Sequence, residues 1–212
     1  CLRLSIALQI KWVPREQNQA ADEISKQGDK NDWMLNPRFF RVFETRWGKF
    51  DVDRFATHRN ALCKTFFSLY WCPGCTGIAS FSASWAGMNN WINPPFCLIG
   101  RVIRKLEADR AVASVVVPAW SSRPWWTLVA PDGLHWANFV TDAVPLPRVK
   151  DLFLPGETSG NAVAQNAPTW DVWCLRIDFR PSATPRPRAV TPDFALRLAA
   201  PLVGWCKGGA RT

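Results

Sequence analysis

Asn93-Pro94-Pro95-Phe96 is the stretch of this chain whose residue types most directly suggest chemistry. It follows an apolar run, "NNWI", and precedes a segment with helical spacing. Proline has no N–H to give a sheet, so a strand reaching Asn93 must stop there, and the two rings stiffen the backbone beyond it. The Asn93 carboxamide offers an acceptor and a donor, and Phe96 offers a flat apolar face. A planar heterocycle with an exocyclic amine suits this set. Its amine could donate to Asn93 Oδ1 and to the Pro94 carbonyl while its ring stacks on Phe96. Acceptors that hold both amine hydrogens leave the nitrogen electron density available for attack on an electrophile. A second pattern, "WCPGC", gives Cys72 and Cys75 the spacing of a zinc knuckle or a redox dithiol. Only His58, Cys63 and Cys97 stand near as further ligands, and Pro73-Gly74 reads as a plain turn. The cluster in "PAWSSRPWW" reads either as a base-stacking platform or as core and lid, and His58 and His135 carry no partner pattern.

These residues need elements to position them. "FDVDRFA" and "NNWINPPF" read as strands, "CLIGRVIRKLEADRA" as a helix, and "VASVVVPAW" as a third strand. In the helix Leu98, Val102 and Leu106 form one stripe with Ile99 and Ile103 beside it, and Arg101, Arg104 and Lys105 take the remaining surface. Near-continuous apolar strands around a helix predict a parallel crossover buried on both faces. The fold class is therefore α/β, with a parallel strand-helix-strand, Rossmann-like core. Ligands of such sheets bind beyond the carboxyl ends of the strands, where Asn93 falls. Aromatic spacing upstream predicts a further helix over about Pro37 to Trp47.

The chain has 212 residues, enough for one good core, and 13 of them are Trp. No apolar run is long enough to cross a bilayer. The net charge of +9 is uneven: Arg176 to Thr212 holds seven basic and two acidic residues, whereas Ala111 to Leu175 holds three basic and five acidic. A proline-containing cationic tail such as "RPSATPRPRAV" reads first as a disordered, solvated segment that any polyanion would attract. Seven scattered cysteines, without a mark of secretion, predict reduced thiols. The chain begins at Cys1 and enters an apolar run directly, so it reads as a piece of a longer protein.

"INPPF" resembles the Asp/Asn-Pro-Pro-Tyr/Phe motif of amino-group DNA methyltransferases, in particular the Dam-like adenine methylases. The resemblance implies a methyltransferase-like core in which Asn93, Pro94, Pro95 and Phe96 grip a flipped adenine, with S-adenosylmethionine held at an earlier strand end. The upstream "FDVDRFAT" is similar to the family's Asp-Pro-Phe-x-Gly turn, which places Asp53 and Phe55 at the cofactor. Two departures stand there. Arg54 occupies the usual proline position, and Thr57 puts a branched Cβ where glycine lets the backbone approach.

The opening "WVPREQNQAADEISK" resembles the end of a retroelement RNase H domain, which would carry Asp22 over as one Mg²⁺ ligand. A two-metal site needs several converging carboxylates, so magnesium is expected only in an intact RNase H domain. The order of the pieces resembles the polyprotein of DIRS- and Ngaro-type tyrosine-recombinase retrotransposons. The implied organisation is an RNase H remnant over residues 1–30, a connector over 31–49, a Dam-like domain over 50–155, and a linker and basic tail over 156–212. Two functions follow from this reading. One is a polyprotein fragment that catalyses nothing as it stands and binds nucleic acid, DNA or an RNA–DNA hybrid. The other is a working S-adenosylmethionine-dependent DNA N6-adenine methyltransferase.

Overall fold

The computed structural model describes residues 33–155 and 166–181. The chain opens with a short strand, β1 (Trp33–Leu35), and helix α1 (Pro37–Trp47). Asn36 caps α1 by accepting the Arg38 amide at 3.1 Å, and Pro37 fits the first turn because no N–H is needed there. The helix expected from aromatic spacing therefore has the bounds read from the sequence. Three short strands come next: β2 (Val52–Asp53), β3 (Thr65–Ser68) and β4 (Gly77–Ile78). They are followed by β5 (Asn89–Ile92), α2 (Ile99–Ala108), β6 (Val112–Pro118), a single turn α3 (Trp126–Val129) and β7 (Val140–Leu146). Strands β8 (Phe153–Pro155) and β9 (Val172–Asp178) end the described chain.

Seven strands form one sheet in the order β4-β3-β2-β5-β6-β9-β7, and β1 pairs with β8 in a separate antiparallel ribbon. Within the large sheet β2 to β6 are mutually parallel, and β9 runs antiparallel between β6 and β7. The strand-helix-strand crossover expected around Asn93 is thus present, and the strands at Asp51 and Asn93 end on one edge. Winding starts at β2, proceeds outward to β4, then returns to β5 and proceeds the other way. The reversal between β2 and β5 is a topological switch point.

Both faces of the sheet are covered. On one, α2 buries Ile99, Val102, Ile103 and Leu106 against Ile92, Val115 and Leu175. Each such side chain stabilises the fold by about 2 kcal/mol, which fixes the helix and hence the turn before it. On the other, α1 buries Phe39, Phe40 and Phe43, and the Phe40 ring meets Trp91 edge-on at 5.0 Å. All seven residues of β6 are buried, as a strand covered on both sides requires.

Three sequence expectations change. "WDVWCLRIDF", read as a strand within the linker and tail, is β9, hydrogen-bonded on both edges inside the sheet. The body of the fold thus runs beyond residue 155, because a strand can be supplied from far along the chain. The stretch read as connector contributes α1, one of the two covering layers. "VTDAVPL", to which the sequence reading gave no element, is β7; it lies at the sheet edge, where the missing N–H of Pro145 is tolerated. Residues 1–30, including Asp22, lie outside the described residues. Trp125 and Trp126 are buried, so that part of the tryptophan cluster is core. Cys72 and Cys75 are free thiols, and no metal-holding cluster occurs among the described residues.

Candidate functional site

The carboxyl ends of β2 and β5 bring together the loop that the family resemblance singled out and the turn that chemistry singled out. β5 ends at Ile92, and the Asn93-Pro94-Pro95 backbone leads into a 3-10 turn over Phe96–Leu98 before α2 begins. Pro95 O accepts the Leu98 amide at 2.8 Å, so the turn is closed by the one group of Pro95 that can hydrogen bond. Pro94 is buried, Pro95 is exposed, and the Asn93 Oδ1 atom is itself buried. The Phe96 ring stands edge-to-face with Trp120 at 4.8 Å, and Trp120 packs on Trp170 at 5.6 Å. Neither tryptophan was legible as a neighbour of the motif, since Trp120 follows β6 and Trp170 precedes β9.

On the β2 side, Arg54 N donates to Trp91 O at 3.0 Å, which locks the start of the loop to the strand that carries Asn93. Asp53 is buried, and its carboxylate accepts the backbone amides of Phe55 at 3.3 Å and Leu62 at 3.2 Å. The side chain thus folds back to close its own loop. Burial pushes its pKa up to about 7, and the two amide bonds offset part of that rise. Phe55, expected at the cofactor with Asp53, meets Phe81 at 5.4 Å and Trp85 at 6.2 Å. Thr57 gives both its amide and its hydroxyl to Asn60 Oδ1, at 2.6 and 3.1 Å, which tightens the turn after β2.

Arg54, read as an intruder in the cofactor turn, enters the core instead. It is 1% exposed, donates from Nε to Asn90 Oδ1 at 2.7 Å, and from one terminal nitrogen to Ser84 O and Met88 Sδ. Its guanidinium also lies over Phe67 and Trp85. Burial lowers its pKa to about 10, partly offset by Asp109, so it stays charged at neutral pH. Asn90, fully buried, answers with its amide nitrogen on Trp85 O, Met88 O and Val112 O. The only sequence signal for this network was an asparagine inside an apolar strand.

The domain is a doubly wound α/β sheet with a stiff, amide-bearing turn at its switch point, where ligands of such sheets bind. The sequence model of the family described as "DNA N-6-adenine-methyltransferase (Dam)" matches residues 22–174. The chain belongs to that family. It is also 27% identical over 101 residues to the DNA N-6-adenine-methyltransferase of Escherichia phage T1, a match covering 45% of this chain and 39% of the phage protein. The chain thus spans well under half of that relative's length. The match begins at Asp22, so the family claims part of the stretch that the sequence reading gave to RNase H.

The family implies S-adenosylmethionine as methyl donor. One feature of this edge fits a nucleoside: the Ser80 hydroxyl is buried without a hydrogen-bond partner among the described residues. Ser80 lies just past the carboxyl end of β4, beside Phe81, whose ring meets Phe55. An unpartnered hydroxyl can meet the edge of a purine ring, while the Phe81 ring is itself packed against Trp85 at 5.6 Å and Arg101 at 4.0 Å.

Proposed function

We propose that this Dam-family domain is a DNA N6-adenine methyltransferase in which Asn93 to Phe96 hold the target base. The observation that carries the reading is the position of the Asn-Pro-Pro-Phe turn: at the carboxyl end of β5, next to the switch point, with its backbone fixed by two prolines and by α2. Asn93 Oδ1 and the Pro94 carbonyl accept the hydrogens of the adenine amine, and the Phe96–Trp120 pair supports the ring. S-adenosylmethionine, when bound, supplies the methyl group. Ser80 and Phe55, next to the loop closed by Asp53, would hold its purine end. Accepting both amine hydrogens keeps the nitrogen lone pair out of the ring and directed at the donor.

Calorimetric titration with S-adenosylmethionine, paired with methylation of adenine-containing DNA, tests the proposal. Binding weakened by Ser80→Ala, together with methylation abolished by Asn93→Ala, supports it. Absence of both binding and methylation would return the protein to the other reading, a non-catalytic domain that binds nucleic acid. The setting within a retrotransposon polyprotein rests on the order of sequence motifs alone. The sequence upstream of Cys1, where the remaining RNase H carboxylates would lie, is its test.

A further inference from the structure

The edge of the sheet that carries the candidate site is free of carboxylates over a wide span. The loops leaving β2, β3, β4 and β5 lie between Arg54 and Leu106, where no Asp or Glu occurs, and none occurs from Ala119 to Pro131 after β6. Arg59 in the turn after β2, Arg101 in the first turn of α2 and Arg123 after β6 are all exposed there. Two of them are held flat against rings: Arg101 lies 4.0 Å from the centre of Phe81, and Arg123 lies 5.5 Å from that of Trp120. Immediately beyond β3, Tyr70 and Trp71 are each 77% exposed. The Cys75 amide donates to the Cys72 carbonyl, closing the turn that follows the two rings. Large aromatic side chains with that exposure are uncommon on a surface that nothing covers. β3 stands two strands from β5 in the sheet, a spacing of about 10 Å.

Exposed rings flanked by cations, with Asp171 at this edge already paired to Arg148 at 2.8 Å, match a nucleic-acid strand in both charge and shape. We propose that Tyr70 and Trp71 are a stacking platform for unpaired nucleotides next to the base held at Asn93–Phe96, with Arg59, Arg101 and Arg123 on the phosphates. The placement rests on the DNA reading above, but the platform itself is indifferent to base identity, because every base has a face to stack.

The test uses the full chain and short fluorescein-labelled single-stranded oligonucleotides, one containing adenine and one all-thymine, followed by anisotropy across a salt series. Trp71→Ala and Tyr70→Ala should each weaken binding to both oligonucleotides by roughly ten- to a hundredfold, with the salt dependence unchanged. Arg101→Gln and Arg123→Gln should each flatten the slope of log affinity against log salt by about 0.7. Both aromatic positions are exposed, so thermal melting of these variants should match that of the wild type. Equal wild-type affinity for the two oligonucleotides, with the aromatic losses intact, would remove the adenine grip and leave the platform standing. Tyr70→Ala and Trp71→Ala proteins that bind both oligonucleotides as the wild type does would overturn the platform. So would substitutions that alter only self-association on a sizing column.

Discussion

Asp53→Asn should gain stability relative to the wild type as the pH rises from 4 to 8. The Asp53 carboxyl is 3% exposed, and burial moves its pKa from an ordinary 3.8 to about 7 in the folded chain. Between those values the folded protein keeps a proton that the unfolded chain has released. Raising the pH therefore favours unfolding: the contribution of this group is full below about pH 4 and is lost as pH rises through 7. A rise from 3.8 to about 7, at 1.36 kcal/mol per pH unit, sets a ceiling of about 4 kcal/mol. Asparagine is close in shape, and its Oδ1 can still accept one of the amides of Phe55 and Leu62 without carrying a charge. Urea unfolding of both proteins from pH 4 to pH 8.5 gives the difference curve, in which every other titrating group cancels. The expected difference grows with pH by a few kcal/mol in favour of asparagine and levels off above pH 8. A difference that stays flat, or that grows toward acid pH, would refute the burial argument for Asp53.

Other outcomes follow from the same structure. Asn90→Leu should cost about 3–5 kcal/mol by chemical denaturation, since it leaves the buried Arg54 cation without its Nε acceptor. Adding Arg54→Met to that variant should recover much of the loss, and a double-mutant cycle that proves additive would sink the coupling. Asn93→Ala should lower methyl transfer at least about a hundredfold while moving the unfolding midpoint little, as read by single-turnover labelling and melting. Leu175→Ala in β9 should destabilise by about 2–5 kcal/mol, because this fully buried side chain lies in a strand paired on both edges; a loss under 1 kcal/mol would contradict the sheet order.

Local rules were enough for much of this protein. Two adjacent prolines end a strand whatever surrounds them, so the stop after Ile92 and the stiff turn at Asn93–Phe96 were readable from residue chemistry. An amphipathic stripe gave α2 and aromatic spacing gave α1, because periodicity acts within a few residues. Patterning of apolar strands around α2 gave the parallel crossover, and with it the edge on which the site lies. Partners distant in sequence were another matter. Whether Arg54 faced a cofactor or the core depended on Asn90, 36 residues later, offering a buried acceptor at 2.7 Å. The position of β9, between two strands that precede it in the chain, rests on hydrogen bonds to both β6 and β7, far apart from it in sequence. The raised pKa of Asp53 arose from the layers packed over it. The sequence alone determined the turn, the helices and the site edge, since those are short-range consequences of residue type. Only the tertiary structure decided which side chains were removed from water, because burial depends on the whole set of surfaces that close together.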